Sequence, residues 1–131
     1  VAALQVLRTE LPDWVWQGAG ISRNHQTLQT AIAKVSEQRS RFAKLTLTQS
    51  LLKCCQQPAS RPLTLPWSTL RLWSETRNLL DLAYLILTSA DFRDESRGGH
   101  FRDDYPHPDP AWQVHTLVQG DRWWTSPPKS S

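Results

Sequence analysis

Between Pro66 and about Arg93, the positions Trp73, Thr76, Leu80, Ala83, Leu87 and Ala90 recur at three- and four-residue steps and form one largely apolar stripe. That spacing is the signature of a single α-helical face. Leu72, Leu79 and Ile86 widen the stripe enough to touch two neighbours, while Glu75, Arg77, Asp81 and Asp91 fall where they are solvated or paired. This is the strongest helix in the chain. A second amphipathic helix, of about five turns, starts at Ser22. Leu28, Ala31, Ile32, Val35, Arg39 and Phe42 share one face of it, and Gln26, Gln29, Lys34, Glu37 and Arg41 take the other. Nearer the start, the run from Thr9 to Gln17 reads as a short helix, preceded by another turn at Leu4 to Leu7. Thr9 is its candidate N-cap, Pro12 is tolerated in the first turn, and Gly18 and Gly20 are candidate stops.

Elsewhere the periodicity fails. From Leu45 to Pro66 it dissolves, and Pro58, Pro62 and Pro66 with Ser and Gln between them mark a connection, the best candidate for a mobile loop. After Arg93, Gly98-Gly99 breaks the helix. The run Tyr105-Pro106-His107-Pro108-Asp109-Pro110 excludes both helix and central strand. Trp112 to Val118 alternates loosely and is β-branched enough for one short strand. Its partner is either a neighbouring hairpin arm at Arg122-Trp123-Trp124 or a segment outside this chain.

These elements predict a mainly α fold. A small three-helix bundle, similar to a spectrin repeat, occupies residues 1–95 with its Pro-rich loop at about 45–66. An extended, turn-rich segment at 96–125 carries one short strand or hairpin and packs on the bundle or on a missing domain. Residues 126–131 form a disordered Pro/Ser-rich tail. A length of 131 residues allows one domain with a real core, and seven Trp argue for large apolar contacts. No Met occurs, even at position 1, so the chain is expected to be a processed piece of a larger protein.

The longest apolar run, Leu79 to Leu87, carries Asp81 and falls far short of the about 20 residues that a membrane span needs. Cys54 and Cys55 are adjacent and cannot staple distant segments; two free thiols fit a reducing, cytoplasmic location. The net charge of +3 could suit nucleic acid, but the basic residues do not cluster. Residues 91–109 instead set six acids against three Arg, so no nucleic-acid partner is expected.

Candidate chemistry is sparse. There is no Gly-rich phosphate loop. His100, His107 and His115 stand seven and eight residues apart, unlike the i, i+4 pairs of helical metal sites. Ser96 and the two cysteines lack the surroundings of a nucleophile elbow or a Cys–His protease. The dense polar run is Arg93-Asp94-Glu95-Ser96-Arg97-Gly98-Gly99-His100-Phe101-Arg102-Asp103-Asp104-Tyr105-Pro106. It is either a solvated loop of mixed charge or a rigid charge network presented to another domain, since Arg forks lock onto carboxylates and Gly permits close backbone approach.

Three stretches carry a resemblance: Glu75 to Ala83, Glu95 to Pro106, and Trp112 to Leu117. With Trp14-Val15-Trp16-Gln17-Gly18-Ala19-Gly20-Ile21-Ser22-Arg23, they resemble the C-terminal helical domain of the flavoprotein family comprising L-aspartate oxidase and the succinate dehydrogenase and fumarate reductase flavoprotein subunits. The similarity covers about Leu11 to Val118, with the Pro-rich middle matching poorly. Gly99, Tyr105 and Pro108-Asp109-Pro110 depart from the succinate dehydrogenase pattern toward that of L-aspartate oxidase.

The resemblance implies a parent enzyme that passes a hydride from L-aspartate to FAD. The product is iminoaspartate, which quinolinate synthase uses in NAD biosynthesis. It also implies that catalytic, cofactor and metal sites lie outside this piece, in FAD-binding and capping domains of the same chain. Glu95, Ser96, Arg97, His100, Arg102, Asp104, Tyr105, Trp112 and His115 are then expected to dock this piece onto those domains. The equivalent domain of a succinate dehydrogenase or fumarate reductase flavoprotein, and a stand-alone helical interaction module, are the alternatives.

Overall fold

A computed structural model describes residues 1–57 and 63–127. Three long helices form an up-down-up bundle: α1 (Ala2–Ala19), α2 (His25–Lys44) and α4 (Trp67–Phe92), with a short α3 (Thr46–Gln56) after α2. Leu4, Leu7 and Leu11 of α1, Leu28, Ala31, Val35 and Phe42 of α2, and Leu80, Ala83, Leu87 and Ala90 of α4 make the core. Gln38 donates to Glu10 and Arg39 to Asp81, so α2 runs antiparallel to both neighbours. An Arg8–Glu75 ion pair and the approach of Gly18 to Leu87 show that α1 and α4 run parallel.

The pattern of α2 and α4 appears in the fold nearly as read, with α2 entered through Asn24 rather than Ser22. The Asn24 side chain accepts from the Thr27 N–H, and the Thr27 hydroxyl accepts from the Asn24 N–H, a reciprocal cap. Three expectations about the helices need correction. First, α1 is not a short helix begun at Thr9: it runs unbroken from Ala2, and the Thr9 hydroxyl donates to the Gln5 carbonyl one turn back. Pro12 sits inside it, leaving only the Arg8 carbonyl without its usual donor. Gly18 is a buried interior position, while Gly20 does end the helix.

Second, residues 46–56 of the expected loop are helical. Their inward position is Thr48, 3% exposed, whose hydroxyl accepts from the Trp73 indole N–H at 2.9 Å. A polar residue buried through a hydrogen bond leaves no apolar mark in the sequence. Pro58 and Pro62 lie outside the described residues. Third, Leu79 and Ile86 do not widen the core; they are exposed.

After α4 the chain is irregular to a 3₁₀ turn at Pro110–Trp112. It then forms the hairpin β1 (Thr116–Gln119) and β2 (Arg122–Thr125), antiparallel with Thr116 opposite Thr125. The strand thus begins four residues later than Trp112, and Arg122-Trp123-Trp124 is its partner. Trp123 anchors the hairpin to α4, its indole N–H donating to the Ser89 hydroxyl at 3.0 Å and its ring meeting Tyr84 edge-on. Ser126, placed in the expected disordered tail, is held by two hydrogen bonds to the His115 backbone. Residues 128–131 lie outside the described residues. Among the described residues no helix is long and apolar enough to cross a membrane.

Candidate functional site

The end of α4 sets the problem that the polar loop solves. The helix has no basic residue in its last turn and leaves through an extended Arg93, so its final carbonyls need donors from elsewhere. Arg102, 1% exposed, supplies them. Its Nη1 lies 2.7 Å from the Asp91 carbonyl, 3.2 Å from that of Arg93 and 3.0 Å from Asp94 Oδ1. Its Nε and Nη2 donate to the two oxygens of Asp104 at 2.9 and 2.7 Å, the two-point geometry that makes Arg–carboxylate pairs strong. The Tyr105 ring stacks 4.7 Å from the guanidinium.

Asp104 then reaches a second helix. Its Oδ2 accepts the His25 backbone N–H at 2.8 Å, at the start of α2. That helix has no acid in its own first turn, and a carboxylate there satisfies an orphan donor and the helix dipole together. The Arg102 guanidinium, helped by this N–H against the effect of burial, holds the Asp104 carboxyl at about 2. Asp103 repeats the theme: its N–H donates to the Arg23 carbonyl at 2.8 Å, and its Oδ2 accepts from the Ser22 hydroxyl at 3.2 Å.

His100 is locked beside it. Arg23 Nη1 lies 3.0 Å from His100 Nδ1. Arginine only donates, so Nδ1 is the acceptor, and Nε2 carries the hydrogen given to the Arg93 carbonyl at 3.2 Å. Burial pushes the His100 pKa below its ordinary value. The Arg93 carbonyl opposes this, and the charges of Arg23, Arg102 and Arg93 reinforce it. Arg97 and His100 exchange backbone hydrogen bonds at 2.8 and 3.0 Å across a tight turn. The φ of +57° at Gly98 in that turn is one that a side chain disfavours.

Glu95 is fully buried and carries the other half of the network. It accepts from Arg93, from Arg97 at 3.0 Å and from the Asp109 N–H at 3.1 Å. Burial alone would raise its pKa; Arg97, the Asp109 N–H and Arg93 outweigh that and hold it at about 2. Arg93 also donates to the carbonyls of Val114, at 3.1 Å, and Trp112, and lies over the Trp112 ring. The Ser96 hydroxyl donates toward the Tyr105 carbonyl at 2.7 Å and accepts the Arg102 N–H at 2.9 Å.

Of the nine residues expected at a docking surface, Glu95, Ser96, Arg97, His100, Arg102, Asp104, Tyr105 and Trp112 do meet in one network. His115 does not: only its backbone bonds, to Ser126. Glu95, Ser96 and Arg102 are turned inward and bind this chain's own groups, while Arg97, Tyr105 and Asp104 reach the surface. The reading of the sequence omitted Arg23, Arg93, Asp103 and Asp109 from the site. Arg93 and Asp109 bond to Glu95, Arg23 to His100 and Asp103 to Ser22, contacts that no motif or helix-end signal in the sequence marks. Chemically the arrangement orders backbone: the Ser96 hydroxyl is bonded to main chain and both His100 nitrogens are engaged.

The matches to known proteins extend across this loop and come from longer proteins. The model for the fumarate reductase flavoprotein C-terminus matches residues 66–127, which include α4, the loop network and the hairpin. The chain belongs to this flavoprotein family. It is 56% identical over 95% of its length to L-aspartate oxidase of Nostoc, covering 22% of that protein. It is 43% identical over 99% of its length to L-aspartate oxidase of Synechocystis, covering 24%. It is 32% identical over 88% of its length to the succinate dehydrogenase flavoprotein subunit of Rickettsia conorii, covering 17%. The chain thus spans a quarter or less of the curated relatives it matches. No solved structure gives a significant match.

A flavoprotein family implies a flavin, and among the described residues the helix start beside Gly98-Gly99 does not fit one. A helix N-terminus beside a glycine turn is the usual seat for a cofactor's phosphates. The N-terminus of α2, next to Gly98-Gly99, already has its His25 and Thr27 N–H groups taken by Asp104 and Asn24.

Proposed function

We propose that this chain is the C-terminal helical, non-catalytic domain of an FAD-dependent L-aspartate oxidase. The parent would convert L-aspartate to iminoaspartate for NAD biosynthesis, with quinolinate synthase consuming the product. The observation that carries this is the 56% identity to the Nostoc enzyme across nearly the whole chain. FAD and the reacting groups belong to the FAD-binding and capping domains that precede this one. The contribution of this domain is mechanical: the Arg102–Asp104 and Arg93–Glu95–Arg97 pairs freeze the 95–109 loop into one shape. The loop then offers its outer face, with Gly98, Gly99, Phe101 and Tyr105 exposed, to the flavin domain. Cys54 and Cys55, both free thiols, suit a cytoplasmic enzyme.

The second reading, a succinate dehydrogenase or fumarate reductase flavoprotein, draws on the weaker match to the Rickettsia subunit. Anaerobic addition of L-aspartate to the full-length protein should bleach its flavin while succinate leaves it yellow. Bleaching by succinate with aspartate inert would transfer the domain to the second reading.

A further inference from the structure

On α4, Leu79, Leu82 and Ile86 are 40%, 54% and 52% exposed. They follow Glu75 at steps of four, three and four, so they share its face. Glu75 pairs with Arg8 of α1, and Pro12, Val15 and Ala19 follow Arg8 at the same steps. Because α1 and α4 are parallel, these two stripes run side by side from the Arg8–Glu75 pair to the level where Gly18 meets Leu87. Leu79, Leu82, Ile86 and Pro12 are exposed while Val15 and Ala19 pack half-buried against the core, so the junction of the two helices is a shallow apolar groove. The opposite flank of α4 is covered instead, by α3 through Thr48–Trp73 and by the hairpin through Trp123. Contiguous exposed apolar surface of this kind marks an interaction site.

We infer that the α1/α4 groove is the seat of the preceding part of the same polypeptide, packed there within one molecule. The inference rests on the flavoprotein reading and adds a second contact to the loop face. Two observations and one physical argument favour this occupant over a second copy. The matched relatives are more than four times as long, and the matching family is a C-terminal one. The bulk of such a protein therefore precedes α1, the helix that forms half of the groove. A tethered surface also acts at high effective concentration without any need for association. Finally, Ala19 at the upper end of the groove adjoins exposed Trp16 and Phe101 beside Gly98-Gly99. The groove and the loop face thus make one continuous surface.

The test uses the full-length protein with Cys54→Ser and Cys55→Ser as background, carrying Leu82→Cys or Ile86→Cys. Both sites are exposed in this chain, so neither change disturbs the bundle. Maleimide labelling of each thiol is timed in the native protein and after unfolding in guanidinium. A native rate slower by about tenfold or more, unchanged on dilution, is the expected result. A native rate within about threefold of the unfolded one would overturn the inference. So would protection that vanishes as a dimer dissociates on dilution, since the cover would then be a second copy. Flavin content and aspartate bleaching of the same samples separate the two readings. Protected thiols without flavin keep the groove's cover and sink the oxidase assignment; an active flavoprotein with fast thiols does the reverse.

Discussion

Among the described residues no side chain makes more hydrogen bonds than Arg102. Its guanidinium closes the end of α4 while gripping Asp104, which closes the start of α2. Arg102→Met keeps the length and removes both functions, leaving the α4 carbonyls without their donor and Asp104 with only the His25 N–H. Asp104 retains access to water, which limits the loss to about 3 kcal/mol, the low end for a broken buried ion pair; urea unfolding measures it. Acid attacks the same groups in order. Glu95 and Asp104 titrate at about 2 in the fold, against ordinary values of 4.5 and 3.8. The unfolded chain therefore binds more protons than the folded one in that range, and stability is lost as pH falls from about 4.5 to 2. His100, lowered from 6.5, begins a gentler loss above that range. Thermal melts against pH should show both phases, and Glu95→Gln should remove much of the steeper one.

Gly18 shows what the helices require of each other. A Cβ there would stand 2.4 Å from the Ala31 Cβ and 2.8 Å from Leu87 Cδ2, both buried. Gly18→Ala gains up to about 1 kcal/mol in helix propensity, but α1 must move off α2 and α4, at about 1–3 kcal/mol. The net expected result is a lower melting temperature, partly restored by Ala31→Gly, since the two sites touch. The sequence announced α2 and α4 clearly because their buried faces are apolar at regular steps. It hid the length of α1 and the existence of α3. Thr9 and Pro12 read as a beginning, yet a proline removes only one hydrogen bond, and Leu4, Leu7 and Leu11 bury across the join. The buried contact of α3 is a hydroxyl, which no hydrophobic pattern registers.

At the scale of the molecule, the loop network was half legible as composition: alternating Arg and acid between residues 93 and 109 left a solvated loop and a charge network as the two readings, and the fold holds the network. Which Arg meets which acid was not legible, because each has several acids within reach along the loop, and the fold gives Glu95 to both Arg93 and Arg97 and Asp104 to Arg102. Arg97 and Arg102 look equivalent in the sequence, but one reaches the surface and the other is enclosed. A charge reversal at Arg102 therefore tests folding, and one at Arg97 comes nearer to testing docking. The Asp104–His25 bond also has a consequence for synthesis. Its two ends are 79 residues apart, and the ribosome makes the downstream one last. Until Asp104 and Arg102 emerge, a nascent chain holds an α4 whose last carbonyls lack the Arg102 donor and an α2 whose His25 N–H lacks its carboxylate. The bundle therefore reaches its final rigidity only after Asp104 has been made, and a message cut short before the codon for Arg102 yields a product that chaperones and proteases will treat as unfinished.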